Sequence, residues 1–108
     1  MKDFTLCPTF ESAFELLGKR WTGLIIRVLM NGPARFKDIS RIIPTLSDRV
    51  LSERFKELEA ADIVRRNVYP EIPIRIEYEL TEKGRSLKPM MEECEKWAEK
   101  WIKENPAK

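Results

Sequence analysis

Two helical patterns with a very short connector between them constrain this chain more than any other feature. Apolar residues recur at helical spacing over 36–43 and again over 47–59. Pro44 ends the first pattern, because the residue before a proline disfavours helix. The connector is therefore Pro44-Thr45-Leu46. Two helices joined by a turn of about 3–4 residues form a helix-turn-helix, and we predict one here.

The sequence after Asp62 changes from helical to alternating spacing. The segments 63–69 and 74–80 alternate apolar and polar residues, which is typical of strands, and the residues 70–73 between them predict a hairpin tip. The apolar residues of the second segment are expected on one face: Ile74, Ile76, Tyr78 and Leu80. A β-hairpin after a helix-turn-helix describes a winged helix. The predicted fold class is therefore mainly α with a small β-hairpin.

Apolar stripes near both ends of the chain predict additional helices. One helix is predicted over 9–17, with Thr9 as its cap, and another over 21–30, with Leu24 facing inward. A long last helix is predicted from Thr81, and its apolar residues recur every three or four positions. Its tryptophans and methionines exceed what a small core can cover, which favours a two-fold dimer. The predicted interface residues of these N- and C-terminal dimerisation helices are Phe10, Phe14, Met90, Met91, Cys94, Trp97 and Trp101.

The composition excludes several classes of function. A length of 108 residues suits one domain, which we predict over 1–108. The absence of histidine excludes Ser-His and Cys-His nucleophile pairs, and two cysteines make a poor zinc site. We therefore expect no enzyme activity, no metal and no cofactor. Since neither a membrane-length apolar run nor a signal-peptide pattern is present, a cytoplasmic location without membrane contact is expected.

The polar face of the helix predicted over 47–59 carries residue types that contact nucleic acids. At about 100° per residue, Leu51, Phe55 and Leu58 share the buried side, while long cations lie opposite. Such cations reach phosphates or guanine edges, and a serine near a helix N-terminus can bind a phosphate. Arginines beside the hairpin can enter a minor groove. The predicted DNA-binding residues are Ser47, Asp48, Arg49, Ser52, Lys56, Lys19, Arg35, Arg66 and Arg75.

Ordinary structural explanations compete with these interpretations. Most charged helix faces are solvated and bind nothing, and a net charge of +2 does not indicate a nucleic-acid partner. Glu53 lies in the middle of the charged face, and Glu71 lies at the hairpin tip. Arg54 flanks the apolar stripe, where a structural role suits it equally well. Lys19-Arg20 can contact a phosphate or simply be exposed beside Trp21.

Short sequence pieces in a fixed order carry a family resemblance. They are Cys7-Pro8, Gly18-Lys19-Arg20-Trp21, Gly32-Pro33 with Arg35-Phe36, Leu51 through Leu58-Glu59, Val64 with Arg66, Pro73, Glu77-Tyr78 with Leu80-Thr81 and Gly84, and Trp97. In this order they resemble the HxlR-type regulators, a winged-helix group related to MarR-type repressors. Within that family, the segment CPTFESAFELLGKRWTGLIIRVLMNGP resembles YodB-type repressors, which respond to quinones and thiol oxidants. One departure is Ala61-Asp62, where the family often has Asp-Gly; aspartate tolerates the left-handed conformation moderately well.

The resemblance implies a homodimeric repressor that binds a double-stranded DNA operator with the helix from Ser47 as its reading helix. It also places Cys7 at the family's sensing position. A helix N-terminus and the cations Lys19 or Arg20 can lower the pKa of this thiol, and a thiolate reacts with quinones and other electrophiles or oxidants. From the residues alone, a small buried hydrophobe is the favoured interpretation of Cys7, and only the family resemblance favours the sensing role.

The second cysteine is harder to assign. Cys94 lies on the apolar stripe of the last helix and is predicted to be in the core. YodB-type repressors use a cysteine nearer the C-terminus, where this chain has Ile102. Direct alkylation of Cys7 is therefore the predicted mechanism, and a disulfide with Cys94 of a second subunit stays open. Two alternative functions also stay open: control by a non-covalent ligand held between the helices, and a protein-interaction module that does not bind DNA.

Overall fold

A computed structural model of the chain describes residues 5–102, so both ends of the predicted 1–108 domain lie outside the described residues. The elements within this range follow the predicted order closely. They are α1 (Pro8–Leu17), α2 (Thr22–Leu29), α3 (Phe36–Ile42), α4 (Asp48–Ala60), β1 (Val64–Tyr69), β2 (Arg75–Leu80), α5 (Glu82–Arg85) and α6 (Lys88–Trp101). The winged-helix prediction is therefore confirmed.

Helices α3 and α4 form the helix-turn-helix. Ser47 is the N-cap of α4, and its side-chain oxygen accepts the backbone N–H of Val50 at 3.2 Å. Ser40 of α3 donates its hydroxyl to Asp48 Oδ1 at 2.9 Å, which joins the two helices across the turn. Leu46 in the turn is buried in the core. These contacts fix the direction in which α4 leaves the turn.

Apolar side chains from α2, α3, α4 and the hairpin form one core. Its buried members are Ile25, Ile26, Leu29, Ile39, Ile43, Leu46, Leu51, Phe55, Leu58, Ile63, Val64 and Leu80. Burying a side chain of this size contributes about 1.5–3 kcal/mol. The Phe55 ring of α4 stacks on Tyr78 of β2, with ring centroids 3.8 Å apart. The apolar stripe of α4 therefore packs inward, and its opposite face is left to solvent.

The hairpin is antiparallel and is tied to the helices at its base. Val64 pairs with Leu80 and Tyr69 pairs with Arg75. Ala34, just before α3, forms a β-bridge with Tyr78. Asp62 has φ 62°, so aspartate does adopt the left-handed conformation expected at this helix end.

Three details of α2, β2 and the last helix differ from the sequence predictions. Leu24 is 52% exposed, because the buried face of α2 is centred on Ile25, Ile26 and Leu29. Ile74 is exposed because it precedes β2 and is not held in the strand alternation. The long last helix is divided into α5 and α6, and Pro89 lies at the start of α6.

The helices α1 and α6 extend away from the core. Neither helix contains a buried residue. The Cα radius of gyration is 16.2 Å, whereas a compact chain of this length has a value of about 13 Å. Among the helices of residues 5–102, none combines the length and apolar character needed to cross a lipid bilayer. The first and last helices therefore leave much of their apolar surface uncovered within one chain.

Replacing Gly84 with alanine should destabilise the fold. A Cβ atom at this position would lie 2.3 Å from the Ile63 carbonyl oxygen, so α5 would have to move away from the segment that joins α4 to β1. Overpacking of this kind costs about 1–3 kcal/mol. The measurement is the free energy of unfolding in urea at a fixed protein concentration. Gly23→Ala is the matched control, because a Cβ there meets nothing within 4 Å and should be neutral or stabilise by about 0.5–1 kcal/mol.

Candidate nucleic-acid interface and thiol site

The outer face of α4 presents two cations to solvent. The Arg49 side chain is 80% exposed and pairs with Glu53 on the next turn of the helix at 3.0 Å. Lys56 is exposed, two turns further on, and has no ion-pair partner among residues 5–102. Ser52 lies between them and is half-buried. Exposed pairs such as Arg49–Glu53 contribute about 0–1 kcal/mol, so Arg49 can exchange this glutamate for a phosphate at small cost.

Ser47 and Asp48 at the start of α4 have structural partners. The Ser47 oxygen accepts the Val50 N–H, which leaves its hydroxyl proton free to donate. The Asp48 carboxylate accepts the Ser40 hydroxyl and thereby holds α3 against α4. The DNA-binding assignment of both residues stays a prediction. The contact with Ser40 already explains why an aspartate stands at position 48, without a contact to DNA.

Lys19 and Arg35 differ in how far their charges are already engaged. Lys19 Nζ lies 2.9 Å from Glu57 Oε2 of α4, so this cation links the turn before α2 to α4. Arg35 precedes α3 and its side chain has no ion-pair partner within the described part of the chain. Its backbone N–H donates to Asp38 Oδ2 at 3.2 Å. Arg35 is thus the freer of the two cations.

The two arginines of the wing are in very different surroundings. Arg75 donates to Glu71 at 2.8 Å and to Glu77 at 2.6 Å, and its guanidinium lies 4.0 Å from the centre of the Tyr69 ring. These carboxylates raise the pKa of Arg75, and its hydrogen bonds lower the pKa of Glu71. Arg66 is exposed and unpaired within residues 5–102. Of these two arginines, Arg66 is therefore the one whose charge has no ion-pair partner among the described residues.

Cys7 is the N-cap residue of α1 and is exposed, so the interpretation as a buried hydrophobe is wrong. Its Sγ lies 2.9 Å from Thr9 Oγ1. Hydrogen bonds from the Thr9 side chain, then from the backbone N–H groups of Phe10 and Thr9, lower the pKa of the Cys7 thiol. The expected cations are not the cause, because Lys19 pairs with Glu57 and Arg20 lies over the ring of Trp21.

The thiol opens onto a shallow apolar depression of about 410 Å³ on the surface of α1. Its lining consists of Leu6, Cys7, Phe10, Glu11, Phe14 and Glu15. The rings of Phe10 and Phe14 are 5.0 Å apart between centroids. An aromatic electrophile would therefore meet aromatic side chains next to the sulfur.

The predicted interface residues lie mostly on the open surface of the single chain. Those exposed in this way are Phe10, Phe14, Met90, Cys94, Trp97 and Trp101. The prediction that Cys94 lies in the core is wrong, because α6 turns this residue away from the other helices. Met91 is half-buried against the core. Leu6 and Ile102 are further exposed apolar residues at the two ends, and the sequence analysis did not assign them to this surface.

Two residues with clear roles at these sites were missed by the sequence analysis. Thr9 was expected to cap α1, but Cys7 caps it and Thr9 instead contacts the thiol. Its spacing of two residues from Cys7 was an available signal. Glu57 binds Lys19, which is 38 residues away in the chain, and no local pattern indicates such a contact.

Comparisons with known proteins agree with this geometry. Residues 16–106 match the family model described as HxlR-like helix-turn-helix. The chain is 55% identical over 97 residues to the HTH-type transcriptional regulator YodB of Bacillus subtilis (strain 168), which covers 90% of this chain and 87% of YodB. The reduced form of YodB superimposes with a TM-score of 0.82 at 51% identity, covering 94% of this chain and 99% of that one. The quinone-bound form of YodB superimposes with a TM-score of 0.78 at 51% identity, covering 89% and 100%.

Replacing Thr9 with valine should slow the alkylation of Cys7. Valine keeps the shape of threonine but removes the hydroxyl that stabilises the thiolate, so the pKa of Cys7 should rise. The thiolate fraction at neutral pH then falls, and the rate-against-pH curve moves to higher pH, with a several-fold lower rate at neutral pH. Peptide mass spectrometry after timed iodoacetamide treatment measures this rate. Cys94 is the internal control, and an equal slowing at both cysteines would contradict the role of Thr9.

Proposed function

Because the chain belongs to the HxlR-like helix-turn-helix family of transcriptional regulators, we propose that it acts as a homodimeric, sequence-specific repressor that leaves its DNA operator when Cys7 is alkylated or oxidised. One observation carries the DNA-binding part. Helix α4 buries its apolar stripe completely and turns Arg49 and Lys56 to solvent directly after a helix-turn-helix. A helix in this position reads the major groove in such proteins.

The other free cations extend the proposed contact surface. Arg35 before α3 and Arg66 on the wing are exposed and unpaired within the described residues. Cations of this kind bind phosphates, and arginine also enters narrow minor grooves. We assign phosphate contacts to Lys56 and Arg35, base or phosphate contact to Arg49, and the wing contact to Arg66. Ser47 and Ser52 supply hydroxyl donors near the start of α4.

The uncovered faces of α1 and α6 support the homodimer. An aromatic and apolar surface of this extent on a monomer normally marks an interaction site. A second copy of the chain is the proposed occupant, because closed two-fold dimers are the commonest assembly. A two-fold axis would present two α4 helices to successive major grooves of one duplex, about 34–36 Å apart.

The proposed chemistry begins at the Cys7 thiolate. Its sulfur forms a C–S bond to a ring carbon of a quinone, and the electron pair moves to a quinone oxygen. The attacked carbon then loses its proton, and the two ring oxygens take up that proton and one from solvent, which gives a hydroquinone thioether with no external oxidant. The adduct would occupy the depression beside Phe10 and Phe14, where the proposed second subunit also packs. The quinone-bound structure of YodB, with which this chain superimposes, supports the choice of quinone as the electrophile.

The alternative is that a non-covalent ligand, rather than modification of Cys7, controls DNA binding. A cavity of about 210 Å³ lies between α2, β2 and the start of α6. Apolar side chains of Leu29, Met30 and Leu80 line it together with Arg85, Lys88 and the carboxylate of Glu79. A small organic ligand with both apolar and polar groups would suit such a cavity. This alternative predicts that a Cys7 variant still responds to its inducer.

Alanine at Lys56 should weaken operator binding by about tenfold and reduce the slope of log K against log salt by about 1 per subunit. Binding would be measured by fluorescence anisotropy on a duplex selected from a random library by the wild-type protein. The selected duplex should contain two half-sites about one helical turn apart. Arg49→Ala should also weaken binding. Lys96→Ala is the control, because it removes one exposed positive charge from α6 and should leave operator binding unchanged. If binding were unchanged in both Lys56→Ala and Arg49→Ala, the assignment of α4 as the DNA-reading helix would be contradicted.

Serine at Cys7 should abolish the response to p-benzoquinone while leaving operator affinity of the untreated protein unchanged. Serine keeps the size of the side chain but does not form the thioether under these conditions. The measurement compares operator affinity before and after p-benzoquinone treatment, with the adduct located by mass spectrometry. Cys94→Ser is the matched control and should respond like wild type. An unchanged response in Cys7→Ser would instead favour a ligand in the cavity.

A further inference from the structure

The geometry points to a four-residue clamp, formed by Lys19, Arg20, Arg54 and Glu57, that transmits movement of α1 to the reading helix α4. This inference rests on the proposed function, and it names Glu57 as a positioning residue rather than a DNA contact. The clamp joins the turn between α1 and α2 to the inner edge of α4. We call these four residues the α4 clamp.

In the α4 clamp, the turn donates a hydrogen bond to α4, and α4 donates one to the turn. Lys19 Nζ lies 2.9 Å from Glu57 Oε2. Arg54 Nε donates to the backbone carbonyl of Arg20 at 3.0 Å, and Arg54 Nη1 lies 3.4 Å from the same Glu57 oxygen. The Arg54 side chain is only 17% exposed, so solvent screens its contacts less than those of the surface pairs. Two turns of α4 are therefore bound to a single short segment.

Glu57 Oε1 is buried and has no hydrogen-bond partner among the described residues. A buried carboxylate oxygen without a partner lowers the net stabilisation that the ion pairs provide. Glu57 is thus poorly explained as a device for stability alone. Its geometry suits a contact that selects one position of α4 relative to the turn.

The turn that carries Lys19 and Arg20 is tied to the end of α1 and to the start of α2 by backbone hydrogen bonds. Gly18 donates its N–H to Phe14 O at 2.9 Å, and a Cβ on Gly18 would lie 2.6 Å from that oxygen. Trp21 is held at φ 79°, a left-handed conformation that is unusual for a large residue, and Arg20 lies over its ring. A segment built in this way moves as a unit with the end of α1.

Helix α1 connects this turn directly to the thiol. It spans ten residues, or about 15 Å, with Cys7 at one end and Gly18 at the other. Helix α1 has no fully buried residue, and Leu16 and Leu17, at its end beside the turn, pack against the core, so few contacts within its own chain hold the Cys7 end of α1 in place. An adduct on Cys7 that reorients α1 would therefore displace Lys19 and the Arg20 carbonyl, and the α4 clamp would pass this displacement to α4.

The test measures how strongly Cys7 modification lowers affinity for the selected duplex in Glu57→Gln, Lys19→Met and wild type. Each protein is compared before and after p-benzoquinone treatment, at equal adduct stoichiometry. We expect the fold-loss of affinity to be about 2- to 30-fold smaller in both clamp variants than in wild type. Lys83→Met is the control, because Lys83 also anchors α4, through the Ala61 carbonyl at 2.7 Å, but does not contact the turn. It should behave like wild type.

A second measurement does not require DNA, so it can also be made on variants that bind the duplex poorly. Hydrogen–deuterium exchange of residues 48–60 should change on Cys7 modification in wild type and in Lys83→Met, but not in the clamp variants. A residue that only stabilises the fold would alter exchange before and after modification equally. Equal fold-losses in all four proteins, or an α4 exchange that is insensitive to modification in wild type, would overturn the clamp and leave the proposed function intact. A wild-type protein that keeps its operator affinity when modified would contradict the proposed function itself.

Discussion

The burial of one side of α4 is the constraint on which the rest of the structure depends. Phe55 stacks against Tyr78, and Leu51 and Leu58 lie in the same core as the residues of α2 and the hairpin. Because Leu51, Phe55 and Leu58 are all buried, the rotation of α4 about its axis is fixed. That rotation turns Arg49 and Lys56 outward, and it also brings the other edge of the helix against the turn before α2. The candidate reading surface and the clamp are therefore two consequences of a single packing arrangement.

The cations of this small protein divide into those that hold the fold and those that stay available. Arg75 is bound by two glutamates and lies over an aromatic ring, and Arg54 is nearly buried against a backbone carbonyl. Arg66 and Lys56 have no such partners within residues 5–102. A net charge of +2 conceals this division, because it counts both groups equally. What matters for a phosphate backbone is the number of cations that can exchange solvent for phosphate without breaking a buried contact.

The same division applies to apolar surface. The core is covered by α2, α3, α4 and the hairpin, whereas α1 and α6 hold aromatic side chains in the open. The thiol of Cys7 lies at the beginning of one of these two uncovered helices, and its pKa is lowered by the Thr9 hydroxyl and the first backbone N–H groups of α1. The thiol and the uncovered aromatic side chains of α1 thus share one surface, which is also the surface that the proposed second subunit would cover.

The sequence by itself determined the elements and their order, since helical and alternating spacing, prolines and capping residues act over a few positions. It also placed Leu51, Phe55 and Leu58 on the buried side of α4, which the structure confirms, and it identified the family. Only the tertiary structure decided which charges are free. Lys19 meets Glu57 across 38 residues, and Arg75 is neutralised by Glu77 and by Glu71 at the hairpin tip. Likewise, Leu24 and Cys94 are exposed because neighbouring helices do not reach them. Local periodicity carries no information about such contacts, because they depend on where the core brings distant segments together.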